Sequence, residues 1–78
     1  MINLLYKATI QLLIQNGESI ISGPIDVIFQ TIYNILGSQQ IDSIRNELSE
    51  LQRRMMKNEK IDKYVITKPT FIINIESI

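Results

Sequence analysis

Eight carboxylates, eight Lys or Arg side chains and the hydroxyl residues are all that this 78-residue chain offers for chemistry, because it contains neither His nor Cys. Lack of imidazole removes the commonest general base and transition-metal ligand. Lack of thiols rules out disulfides, zinc–thiolate sites and iron–sulfur clusters. A nucleophile–base pair would have to be Ser–Lys or a carboxylate dyad. The carboxylates are Glu18, Asp26, Asp42, Glu47, Glu50, Glu59, Asp62 and Glu76, most of them interleaved with basic residues at solvent-side helix positions. That spacing serves solubility and i,i+4 pairing, and nothing in it buries a carboxylate to shift its pKa. Glu47 and Glu50 share a helix face, yet two carboxylates without the acidic loop of an EF-hand make a poor cation site. The three Gly residues are isolated, so there is no phosphate-cradling loop. We expect no catalytic, cofactor-binding or metal-binding residues and no enzymatic activity.

Two sets of residues can make contacts instead. Ile41, Ile44, Leu48, Leu51 and Met55 recur at spacings of 3, 4, 3 and 4, the a/d pattern of a heptad seam. They are the candidate oligomer interface. Opposite them, Arg53, Lys57 and Lys60 form a basic stripe continued by Tyr64, a candidate contact for phosphates or an acidic partner. A formal charge of zero argues against a nucleic-acid role, since non-specific binding needs a basic excess. The stripe reads more simply as the solvated back of an amphipathic helix.

The elements that would position these residues divide the chain into a segment at 1–21, a helical hairpin over 22–63 and a strand within 64–78. Leu5, Ala8 and Leu12 share a helical face, and Asn16-Gly17 would cap such a helix. The rival reading alternates Ile10, Leu12 and Ile14 with Thr9, Gln11 and Gln15, and turns at Asn16-Gly17 into a second strand at 19–22. The helix is preferred because a strand would place Leu13 on its polar face. Ser22-Gly23-Pro24 opens the next helix, with Asp26 in its first turn and Ile25, Ile28, Ile32 and Ile35 along one side. Gly37-Ser38 ends it, and the seam falls on the second helix; one long bent helix is the alternative. Phe71, Ile73 and Ile75 alternate with Ile72, Asn74 and Glu76, and are candidates for strand pairing. Pro69 can precede that strand but not sit inside it. Its partner would be the N-terminal segment, a neighbouring copy or another protein's sheet edge.

The totals push toward association. A domain of this length buries only about 60% of its unfolded surface, and it has no crosslinks to help. No run reaches the roughly 18 apolar residues of a transmembrane span. The charge-free stretch at 27–41 holds Gln30, Asn34, Gly37, Ser38, Gln39 and Gln40. Residues 1–15 carry only Lys7 as a positive charge, inside the apolar stretch, which fits a signal peptide poorly. Residues 1–36 have broad apolar faces but few charges, so peripheral membrane contact is a minor alternative.

Part of the chain also has a family likeness. Gly23-Pro24 precedes an apolar helix, and Ile44-Arg45, Glu47-Leu48, Glu50-Leu51-Gln52 and Asn58-Glu59-Lys60-Ile61 follow. This order resembles the gas-vesicle protein G family over residues 23–61. The resemblance implies a small, non-enzymatic protein that helps assemble a protein-shelled organelle. The chain departs from the pattern in lacking Trp, in having Asn58 where the family has Gly, in the extra Lys60, and in its apolar residues 67–78 in place of an acidic tail.

The expectation is therefore a single, mainly α domain over 1–78: a helical hairpin with a heptad-patterned second helix and a C-terminal β-strand, oligomeric, of coiled-coil type. It would be a structural or assembly protein, such as a virion component, that self-associates or docks on a larger particle through its amphipathic helix, with no cofactor and a cytoplasmic or particle-associated location. A small nucleic-acid-binding or regulatory module using residues 53–64 is the alternative from another class.

Overall fold

In the computed structural model, which describes residues 5–78, the N-terminal segment is a β-hairpin and not a helix. Residues 1–4, the start of the segment expected to be helical, lie outside the described part. Strand β1 spans Tyr6–Leu12 and β2 spans Gly17–Gly23, paired antiparallel from Tyr6↔Gly23 to Leu12↔Gly17. Tyr6, Ala8 and Ile10 point into the core while Lys7 and Gln11 point out, the period of two that defines a half-buried strand. Leu13 never has to occupy the polar face, because β1 ends at Leu12 and Leu13 lies in the four-residue turn that follows. Asn16 closes that turn at φ 52°, a left-handed conformation that Asn tolerates better than most residues.

The helices come next. Helix α1 spans Ile25–Asp42, with Pro24 at its N-cap and the Ile28 N–H donating to the Pro24 carbonyl at 3.2 Å. It is broken at Gly37, whose φ of 80° and ψ of 169° are not helical. Helix α2 spans Arg45–Met56, separated from α1 by a tight turn in which the Ser43 hydroxyl and the Ser43 N–H both donate to the Gln40 carbonyl. Asn58, at φ 62°, ends α2: its N–H reaches the Met55 carbonyl and the Glu59 N–H reaches the Arg54 carbonyl, the paired bonds of a Schellman motif.

Two more strands complete the chain, β3 at Lys63–Thr67 and β4 at Phe71–Ser77. They form a second hairpin, and the four strands make one antiparallel sheet in the order β2-β1-β4-β3. Strand β4 therefore pairs on one side with β1, from Tyr6↔Ser77 to Leu12↔Phe71, and on the other with β3. Of the three partners open to Phe71, Ile73 and Ile75, the N-terminal segment is the one used.

The protein is thus an α+β fold, a four-stranded sheet with two helices on one face, and the mainly α, helical and coiled-coil expectation is corrected. The physical reason is that the seam joins a core shared between α1 and a sheet, and not a helix-only core. Ile41, Ile44, Leu48 and Leu51 join Ile28, Ile32 and Leu36 of α1 and Ala8, Ile10, Phe71, Ile73 and Ile75 of the sheet in one buried cluster, with Met55 at its margin. No polar or charged residue is buried among the described residues.

Candidate functional site

The residues expected to make contacts divide sharply in the structure. Ile44 and Leu51 are fully buried and Ile41 and Leu48 nearly so, leaving only the partly buried Met55 of the expected interface at the surface. A partner could reach the other four only by opening the core. Phe71, Ile73 and Ile75 are likewise core residues of a central strand.

The basic stripe is accessible but neutralised. Arg53 pairs with Glu50, Arg54 Nε with Glu59 Oε2 at 2.7 Å, and Lys60 Nζ with Asp62 Oδ1 at 3.8 Å. Among the described residues Lys57 is the member of the stripe without an ion-pair partner. Near it, the carboxylate of Glu59 accepts the Arg54 hydrogen bond and so holds that guanidinium charged. A second carboxylate works structurally: Glu47, in the first turn of α2, accepts from its own backbone N–H and from Lys68 Nζ at 3.1 Å. Both interactions lower its pKa, the backbone bond most. Lys68 lies between β3 and β4, so this pair ties the second hairpin to the helical layer. No group of three or more acidic side chains among the described residues is placed to hold a metal.

Two surfaces that the sequence reading did not single out are left uncovered. The first is a cleft of about 450 Å3 at the end of the molecule where α1 breaks. Leu12, Ile14, Ile35 and Leu36 supply its apolar walls, and Gln15, Gln39 and Gln40 its amide rim. It contains no titratable side chain, so it offers neither a general acid or base nor a nucleophile of lowered pKa.

The second is the outer face of the sheet, opposite the helices. The registers place twelve side chains there in three rows, each read from β2 through β1 and β4 to β3. One row is Ser22, Lys7, Glu76 and Lys63. The middle row is Ile20, Thr9, Asn74 and Val65. The third is Glu18, Gln11, Ile72 and Thr67. In the middle row Ile20 is 60% exposed and Val65 49%. Between them Asn74 donates from Nδ2 to Glu76 Oε1 at 2.8 Å, while its Oδ1 is shut off from solvent with no donor in reach. A buried acceptor left unpaired costs about 1–3 kcal/mol. The chain's own atoms cover this oxygen, although Asn74 belongs to the outer face of the sheet by its register.

The period-two pattern of Phe71, Ile73 and Ile75 against Ile72, Asn74 and Glu76 was the signal for this face. What hides it is the helical reading of the N-terminal segment, which takes β1 and β2 out of the face.

No helix of the described residues is long and apolar enough to cross a membrane. No family model, no curated protein and no solved structure matches the chain.

Proposed function

We propose that this chain is a non-enzymatic assembly protein that works by self-association, and that its contact surface is the outer face of the sheet and not the amphipathic helix. The observation that carries this reading is the middle row of that face, where Ile20 and Val65 stand 60% and 49% exposed. An antiparallel sheet with one solvated face normally turns polar side chains outward there, and these two β-branched side chains break that alternation.

The chemistry of the remaining surface supports the non-enzymatic part. The cleft at the break of α1 is lined by no titratable side chain. The basic residues of the 53–60 stripe are mostly paired within the chain, which favours no phosphate-binding reading.

The test is light scattering coupled to gel filtration across a wide concentration range. The expected result is an apparent mass that rises with concentration above the 9.0 kDa of one chain. A mass that stays at one chain up to about millimolar concentration refutes the reading, because affinities weaker than that leave only ~4 kcal/mol for assembly.

A further inference from the structure

We infer that the outer face of the sheet takes a second copy of this chain, face to face about a two-fold axis running parallel to the strands, so that β1 of one copy covers β4 of the other and β2 covers β3. This rests on the association reading above and specifies its partner and register.

Under such an axis each row of the face meets its own reverse. The middle row then sets Ile20 against Val65 of the other copy, apolar on apolar, at both ends. At its centre Thr9 meets Asn74 of the other copy. Both side chains are polar, so the centre of the row sets no polar group against an apolar one. In the charged row Lys7 meets Glu76 of the other copy, and Ser22 meets Lys63. Glu76 offers its Oε2 for this contact, since Asn74 Nδ2 at 2.8 Å and Lys63 Nζ at 4.0 Å both approach Oε1. In the third row Gln11 meets Ile72 and Glu18 meets Thr67. Nowhere does a charge meet its like.

The other two-fold arrangement, with the axis across the strands, lacks this fit. It turns the charged row onto the third row, setting Glu76 on Ile72 and Lys63 on Thr67, and forms no opposite-charge pair. Stacked sheets pack about 10 Å apart and are skewed by about 30°. That skew displaces the edge strands most.

The size of the face sets the strength. Four strands about 4.8 Å apart and seven residues of about 3.3 Å each make a patch of roughly 19 by 23 Å. Two such patches bury on the order of 900 Å2, below the roughly 1,200–2,000 Å2 of stable specific complexes. The pair is therefore weak, and suits a contact repeated many times on a larger assembly, where avidity multiplies it.

Sedimentation equilibrium of the 78-residue chain, and of Ile20→Asp and Val65→Lys, tests the register. Each variant alone is expected to weaken self-association about tenfold or more, because it places a charge against an apolar side chain. An equimolar mixture of the two is expected to recover wild-type affinity within about threefold, because the introduced carboxylate then faces the introduced ammonium while the native Val65 and Ile20 of the two copies face each other. Thermal melts show whether each variant is folded. If either charge prevents folding, Ile20→Cys and Val65→Cys replace them. The chain has no Cys of its own, and the mixture should form the mixed disulfide in preference to either like pair. Association that survives both single charges, fails to return on mixing, or gives like-paired disulfides overturns the register and leaves self-association standing. A wild-type chain that is monomeric throughout overturns both.

Discussion

Replacing Gly37 by Ala asks whether the break in α1 is built in or incidental, and the two answers differ in sign. If residues 25–42 formed one continuous helix, removing a mid-helix Gly would stabilise the chain by about 0.8–1 kcal/mol. In the structure Gly37 sits at φ 80° and ψ 169°, a region that residues with a Cβ essentially never occupy. The new methyl would meet nothing within 4 Å, so no clash contributes and the whole effect is backbone strain. That strain costs about 1–3 kcal/mol. A chain of this size has roughly 4–12 kcal/mol of stability in all, and each kcal/mol lost lowers its melting temperature by about 4–8 °C. Urea unfolding followed by circular dichroism, with linear extrapolation, measures the difference directly. Gly17→Ala is the matched control, since its φ is not left-handed and its new Cβ would make an ordinary contact with Leu12 Cδ1 at 3.6 Å. The expected result is a loss of about 1–3 kcal/mol at position 37 and within about 0.5 kcal/mol of wild type at position 17. A Gly37→Ala protein as stable as wild type, or more so, would refute the break and restore the continuous helix.

Two further substitutions probe the packing and the tie between layers. Leu48→Glu should unfold the chain and not merely separate copies, because Leu48 is 3% exposed in the chain's own core; a folded monomer in circular dichroism and light scattering would return the seam to an interface. Leu51→Ala, a milder change at a fully buried site, should cost about 2–5 kcal/mol in urea unfolding. Glu47→Gln should destabilise modestly at neutral pH, by about 0.3–1 kcal/mol after allowing for solvent screening. The folded state lowers the Glu47 pKa from its ordinary 4.5, so this stabilisation is present above that value and is lost as pH falls through the depressed one. Stability curves of wild type and variant should therefore converge at acid pH; a constant gap down to about pH 2 would remove the Glu47 carboxylate, held by its backbone N–H and by Lys68, as the cause.

Local punctuation was easier to read than partnership. Asn16-Gly17 and Gly37-Ser38 both mark real breaks in the chain, because a left-handed or extended kink needs residues of that type wherever it falls. The meaning of Asn16-Gly17 was misjudged: it closes a hairpin and does not cap a helix. Tyr6, Ala8, Ile10 and Leu12 alternate cleanly, but Leu5, Ala8 and Leu12 also share a helical face, and a seven-residue strand is too short for period alone to decide. The seam spacing did identify the inward face of residues 41–55. It could not say what that face packs on, since helix and sheet ask for the same stripe. The sequence reading puts one strand in residues 64–78 where the structure has two, because Lys68 and Pro69 begin a turn between β3 and β4. The sheet covers the seam that a helical hairpin alone would leave bare, while Ile14, Ile20, Met56 and Val65 stay exposed. The uncharged cleft was half visible as the charge-free stretch at 27–41, but its other wall comes from the β1–β2 turn, which only the fold brings near. The rows of the outer face depend on three registers and could not be read from any one segment.

The joining of β1 to β4 also determines how the polypeptide can reach this shape. Each hairpin is sequence-local and closes early, whereas the central seam of the sheet brings Tyr6 against Ser77, across nearly the full length. Closing so long a loop costs entropy that grows only slowly with length, yet it must be lost before the fifteen-residue core can repay it. Folding should consequently be limited by the docking of two preformed halves, with the break at residues 57–62 as the hinge between them. A chain interrupted before β4 would leave β1 bonded on one side only, exposing its inward isoleucine to whatever neighbour arrives first.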